Sequence, residues 1–197
     1  MPTIVGHALV GWATARSAAP RLGRAQVIVL GAVAAFLAML PDVDVLGFAL
    51  GVPYAARLGH RGFTHSLVFA LASAGVGFAI ARWRLRRGGH VVPGVLGFLL
   101  LFLAAASHPL LDMLTDGGLG VALFAPFAWG RYFFPLRPIP VSAIGVDGDT
   151  GYVLAWEAAL LAPLALGAML SNRAGGRRWL RWLPLAAVAL ACGVRLT

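Results

Sequence analysis

The stretch VVPGVLGFLLLFLAAASHPLLDMLT, residues 91–115, decides how the chain is read. Seventeen residues pass without an ionisable side chain, and His108 and Asp112 then close the run. Twenty-five residues rising about 1.5 Å each suffice to cross a hydrocarbon core about 30 Å thick. Positions 108 and 112 are four apart, so on a helix their side chains share a face. An apolar span thus ends in two residues of the kind that hold metals.

Five further apolar runs surround it, at 4–15, 25–40, 63–81, 152–171 and 180–194. The run at 4–15 is short, a half-span. Pro41 is expected to end the run at 25–40, because its ring and missing amide stop a helix. Across all 197 residues, 60% are hydrophobic, only 12% are charged, and mean hydropathy is +0.84. A soluble domain carries about a quarter charged residues, and a disordered chain is poor in apolar ones, so both classes are excluded. The expected fold is all-α: one polytopic membrane bundle, residues 1–197, of about five transmembrane helices plus a short N-terminal helix. Residues Met1 to Thr3 carry no basic side chain and His7 interrupts the first run, which does not fit a cleavable signal.

The formal charge is +9, and all sixteen basic residues are arginine. Nucleic acid is not the expected partner, because the arginines sit at the ends of apolar runs rather than on a soluble face. Arg16, Arg21 and Arg24 follow the first run; Arg82, Arg84, Arg86 and Arg87 follow the third; Arg173, Arg177, Arg178 and Arg181 follow the fifth. Alternate crossing puts all three clusters on one side, which the positive-inside rule makes cytoplasmic. The single cysteine, Cys192, offers neither a disulfide nor a thiolate site.

The other side collects the chemistry. His7, the turn Pro41-Asp42-Val43-Asp44, the block Gly59-His60-Arg61-Gly62-Phe63-Thr64-His65-Ser66, and Ser107-His108-Pro109-Leu110-Leu111-Asp112 all fall there. Clustered carboxylates near hydrocarbon are costly, and a divalent cation neutralises them. An extended turn after Pro41 is expected to aim Asp42 and Asp44 into one cavity. Thr115 and Asp116 are expected to extend the face of His108 and Asp112. His60 and His65, five apart between glycines, are expected in a loop and a first helical turn. His7, Asp42, Asp44, His60, His65, His108 and Asp112 make seven N/O ligands, enough for one or two metal ions, zinc before manganese or iron. Phe124, Phe127, Trp129, Tyr132, Phe133 and Phe134 are read as an interfacial belt.

At these blocks, together with Gly6-His7 and Arg131-Tyr132-Phe133-Phe134-Pro135, the chain resembles the YdjM-type membrane-bound metal-dependent hydrolases of bacteria and archaea. The similarity covers residues 6–142, leaving 152–197 as C-terminal helices. It implies an inner-membrane hydrolase with His and Asp metal ligands. Where some members carry His after the second Asp, this chain has Val45.

The expected activity is metal-dependent hydrolysis at the extracytoplasmic membrane face, on a lipid or lipid-linked ester or phosphoester. Asp44 or Glu157 would accept the proton of an attacking water, and Arg61 would stabilise negative charge. The alternative is a metal-binding transporter using the same cluster. A permeation path needs polar groups through the membrane's depth, and these lie at one end.

Overall fold

The computed structural model describes residues 3–18, 21–91, 94–141 and 150–170. Among them every regular element is a helix: α1 (Ile4–Ser17), α2 (Arg24–Met39), a 3-10 segment (Leu40–Val45), α3 (Leu46–Ala49), a 3-10 turn (Phe63–His65), α4 (Leu67–Arg87), α5 (Gly94–Met113) and α6 (Thr150–Leu170). No strand forms among the described residues; two isolated bridges, Thr115 with Ile139 and Val121 with Tyr132, pin the loop after α5. The expected run at 180–194 lies outside the described residues. So do Arg173, Arg177, Arg178, Arg181, Asp147, Asp149 and Cys192.

Among the described residues, three stretches are long and apolar enough to cross a membrane: Arg24–Ala49, Leu67–Arg87 and Gly94–Met113. Helix α2 ends at Met39, just before Pro41 as expected, but the apolar stretch does not end with it. Proline stands at the start of the 3-10 segment, where its missing amide costs no hydrogen bond, and the apolar stretch continues to Ala49. Helix α1, with 14 residues, is roughly 21 Å long, shorter than the hydrocarbon core.

Local sequence explains where the helices begin. The Thr3 hydroxyl accepts from the Gly6 amide at 3.2 Å, and the Ser66 hydroxyl accepts from the Phe69 amide at 3.0 Å. Each satisfies an amide that the first helical turn leaves unpaired.

The core is built mainly of small side chains: Ala15, Ala34, Ala70, Ala74, Ala81 and Ala104 to Ala106, with Leu30, Leu37 and Leu101 between them. In lipid there is little hydrophobic drive between helices, so close backbone approach through small residues supplies the contact. Gly11 is the tightest point between helices: a Cβ there would lie 2.5 Å from the Ala34 carbonyl oxygen and 2.6 Å from the Ala38 Cβ. Gly11→Ala must therefore push α1 off α2, with an expected loss of about 1–3 kcal/mol. Gly75→Ala, with nothing within 4 Å of the added carbon, is the control and should be neutral or slightly stabilising. Thermal unfolding of both variants in detergent checks this.

Candidate metal centre

Four separate segments deliver the polar residues to one point. Helix α5 carries His108 and Asp112 in its last turns, the 3-10 segment carries Asp42 and Asp44, the loop and turn before α4 carry His60, Arg61 and His65, and α1 carries His7. All are buried; the most exposed, Asp44, shows 8% of its surface.

Asp42 and Asp44 do not point into one cavity from an extended turn, as the sequence suggested. In a 3-10 helix, with three residues per turn, positions i and i+2 lie about 240° apart around the axis. Asp42 accordingly faces His65 and His108, whereas Asp44 faces His60, Thr64 and the other side of His65.

The inner group is Asp42, His65, His108 and Asp112. His65 Nε2 lies 3.0 Å from His108 Nε2, 3.2 Å from Asp112 Oδ2 and 3.6 Å from Asp42 Oδ1. His108 Nε2 lies 3.4 Å from Asp42 Oδ1 and 3.8 Å from Asp112 Oδ2. A tetrahedral ion with bonds of about 2.0–2.1 Å needs its ligand atoms about 3.3 Å apart. The five separations bracket that value.

Hydrogen bonding fixes which ring nitrogens face the centre. His108 Nδ1 donates to the Ala38 carbonyl at 2.7 Å, and a carbonyl can only accept. His65 Nδ1 lies 3.2 Å from Asp44 Oδ2 and 3.1 Å from the Thr64 hydroxyl, whose own proton goes to Asp44 Oδ2 at 2.6 Å. Both Nδ1 atoms therefore carry protons, so in the neutral rings it is the two Nε2 lone pairs that converge with two carboxylates. Neither oxygen of Asp42 or Asp112 receives a hydrogen bond, nor is either ring nitrogen of His7 bonded. Buried carboxylates without hydrogen bonds are unfavourable unless a cation lies beside them, so the residues fit a metal ion. His7 stacks on His108, ring centroids 3.8 Å apart, with its Nε2 3.7 Å from Asp112 Oδ1.

A second group, Asp44, His60 and His65, abuts the first. His60 Nδ1 meets Asp44 Oδ1 at 2.7 Å. Asp44 thus holds two imidazoles at once, the arrangement by which outlying carboxylates orient metal-binding histidines.

Arg61 is the resident cation. Its Nε lies 3.2 Å from Asp112 Oδ2, its Nη2 donates to the Thr115 hydroxyl at 2.9 Å, and its Nη1 donates to the carbonyls of Gly117 and Leu119 at 3.0 and 3.1 Å. Its backbone φ of +62° is unusual for a residue with a Cβ. The flanking glycines permit that path: a Cβ on Gly59 would meet the Pro53 carbonyl oxygen at 2.2 Å, and one on Gly62 that of Arg57 at 2.3 Å.

Other expectations fare differently. Thr115 reaches the site through Arg61, but α5 ends at Met113, so Asp116 leaves the face it was expected to extend and accepts from the Val141 amide at 2.8 Å. Glu157 is placed at the start of α1, where it accepts from the Thr3 amide and hydroxyl, and no described bond joins it to the cluster. His90 is exposed at the far end of α4.

Sequence reasoning missed Arg131, which donates to the carbonyls of His60, Gly120, Tyr54 and Ala56. It also missed Tyr54, whose hydroxyl burial pushes above its ordinary pKa, partly offset by Arg61. A lone arginine amid apolar loop residues was the available signal for the first.

The fold and site define a polytopic membrane protein with a buried His/Asp cluster able to hold a metal ion. The chain belongs to the YdjM inner membrane protein family, whose profile matches residues 1–195. It is also 38% identical over 150 residues to the inner membrane protein YbcI of Escherichia coli (strain K12), covering 76% of this chain and 82% of that protein. No solved structure matches.

Removing the Arg61 charge leaves Asp112 without its cation. Arg61→Met is expected to cost about 3–5 kcal/mol, and Arg61→Lys to recover only part, since an ammonium cannot serve the fork of acceptors. Unfolding in detergent measures both.

Proposed function

We propose that this protein is a metal-dependent membrane hydrolase that binds one divalent ion. The observation that carries the reading is the convergence of two imidazole Nε2 atoms and two carboxylates at tetrahedral spacing, with no hydrogen bond to either oxygen of Asp42 or Asp112. Charge supports a single ion. Asp42, Asp44 and Asp112 bring three negative charges and Arg61 one positive, so one divalent cation balances the cluster. Zinc suits the mixed imidazole and carboxylate donors, with manganese or iron as alternatives.

In this reading His65, His108, Asp42 and Asp112 hold the ion and His7 stands beside them. Asp44 and His60 lie outside, orienting His65. Such an ion supplies Lewis acidity, acidifying a water and polarising the bond to be cleaved. The second oxygens of Asp42 and Asp112, free of hydrogen bonds, are placed to take a proton. Arg61, its donors directed at Asp112 and the loop after α5, positions Asp112 rather than reaching for substrate. Glu157 anchors α1, and through it His7, instead of moving protons.

The helix directions support the expected sidedness. Arg16, Arg21 and Arg24 at the α1–α2 junction, and Arg84 to Arg87 ending α4, lie at the bundle end away from the cluster. With that end cytoplasmic, the site faces outward at the membrane surface, and a lipid or lipid-linked ester or phosphoester is the fitting substrate. A second reading, an ion serving only as a structural tie, is favoured by the complete burial of the donors.

Protein purified from metal-supplemented cells should carry about one divalent ion by elemental analysis. His65→Ala and Asp112→Ala should reduce it to background, while Asp44→Asn should weaken affinity by about 10–100-fold. Metal-dependent cleavage of a chromogenic phosphodiester or a labelled phospholipid, lost in Asp112→Ala, separates enzyme from structural tie. Wild-type protein without a stoichiometric ion would end the reading. A reporter fused after Arg87 should be cytoplasmic, and one after Gly118 should not.

A further inference from the structure

Two segments, α3 with the loop after it and the loop after α5, close over the cluster, and both are poor in charge. Residues 45–58 contain one charged side chain, Arg57, and residues 117–136 contain one, Arg131. The two segments form one cap: Arg131 bridges carbonyls of Tyr54, Ala56, His60 and Gly120, and the Arg57 guanidinium lies 5.0 Å over the Trp129 ring. The cap in turn covers the site, since Ala122 donates to the Arg61 carbonyl and Arg61 holds Gly117 and Leu119.

The outside of this cap is apolar. Leu46 is 64% exposed, Leu50 83%, Leu58 68%, Phe124 49% and Phe127 87%. Single exposed hydrophobics need no explanation, but five large ones on one charge-poor cap mark an interaction surface. Continuity names the partner. Leu46 belongs to the apolar stretch Arg24–Ala49, so the lipid-facing surface of a span runs directly onto the cap.

The backbone is prepared for the same environment. Irregular chain cannot lie in hydrocarbon with open carbonyls and amides, because no water is there to satisfy them. Here two guanidiniums take up six loop carbonyls, and Val121 and Tyr132 exchange both backbone hydrogen bonds at 2.9 Å. Stacked arginine and half-buried aromatics are the chemistry of the interfacial zone rather than of its apolar centre.

We infer that the cap, residues 45–58 and 117–136, is immersed in the lipid leaflet on the site's side, about 5–10 Å into the boundary between headgroups and acyl chains. Immersion makes the bilayer the route of entry, so the substrate class is an amphiphile already dissolved in that leaflet. The clause about substrate rests on the hydrolase reading above; the immersion itself does not.

The test is site-directed spin labelling of full-length protein with Cys192→Ser, reconstituted in phosphatidylethanolamine–phosphatidylglycerol liposomes. Labels at Leu50→Cys and Phe127→Cys are compared with Val76→Cys, on the exposed face of α4, and His90→Cys, in the exposed loop beyond it. Expected are collision rates at 50 and 127 dominated by oxygen, as at 76. Access by a water-soluble nickel chelate matching that at 90 would overturn the inference. So would spin–spin broadening at 50 or 127, which would mean a second copy covers the cap. Neither metal nor turnover enters the measurement, so its failure and that of the hydrolase reading are distinguishable.

Discussion

Three carboxylates and four imidazoles share a buried volume in which, among the described residues, one buried guanidinium supplies the fixed positive charge, and the rest of the molecule is organised around that imbalance. Electrostatic interactions strengthen as water is excluded, so an uncompensated acceptor cage would oppose folding. Arg61 offsets part of the charge through Asp112. The remainder calls for a divalent cation, and the geometry of His65, His108, Asp42 and Asp112 has the spacing to hold one.

Precision at that point comes from features that bear no charge. Alanine-rich interfaces let α1, α2, α4 and α5 pack backbone to backbone, so the Ala38 carbonyl can reach His108 and fix its tautomer. A 3-10 segment instead of an α-helical turn sends Asp42 and Asp44 to different imidazoles. Glycines at 59 and 62 let the loop fold tightly enough to bury Arg61. Each device is local, and each would be invisible to an inventory of ligand-type residues.

Family membership places the chain in an inner membrane and leaves its chemistry to be argued from the site. The cap adds a physical constraint on that chemistry. A cluster sealed under an apolar cover is poorly placed to meet a hydrophilic solute, whereas a molecule resident in the leaflet need not cross water to approach it. Under the hydrolase reading proposed above, site and surface favour the same class of substrate.

What the residues alone determined is the environment and the ingredients. Low charge density and long apolar runs require a bilayer, and His and Asp gathered at the ends of those runs supply the ligand types of a metal site, because composition and spacing carry both facts. The His108–Asp112 pair was legible because helical periodicity puts i and i+4 on one face. Tertiary structure decided the rest. The split between Asp42 and Asp44, the turn of Arg61 into protein, the placement of Glu157 at α1 and the web of carbonyls around Arg131 depend on contacts between segments far apart in the chain. Local pattern cannot encode which distant carbonyl a guanidinium will meet; only the packing of the bundle brings the two together.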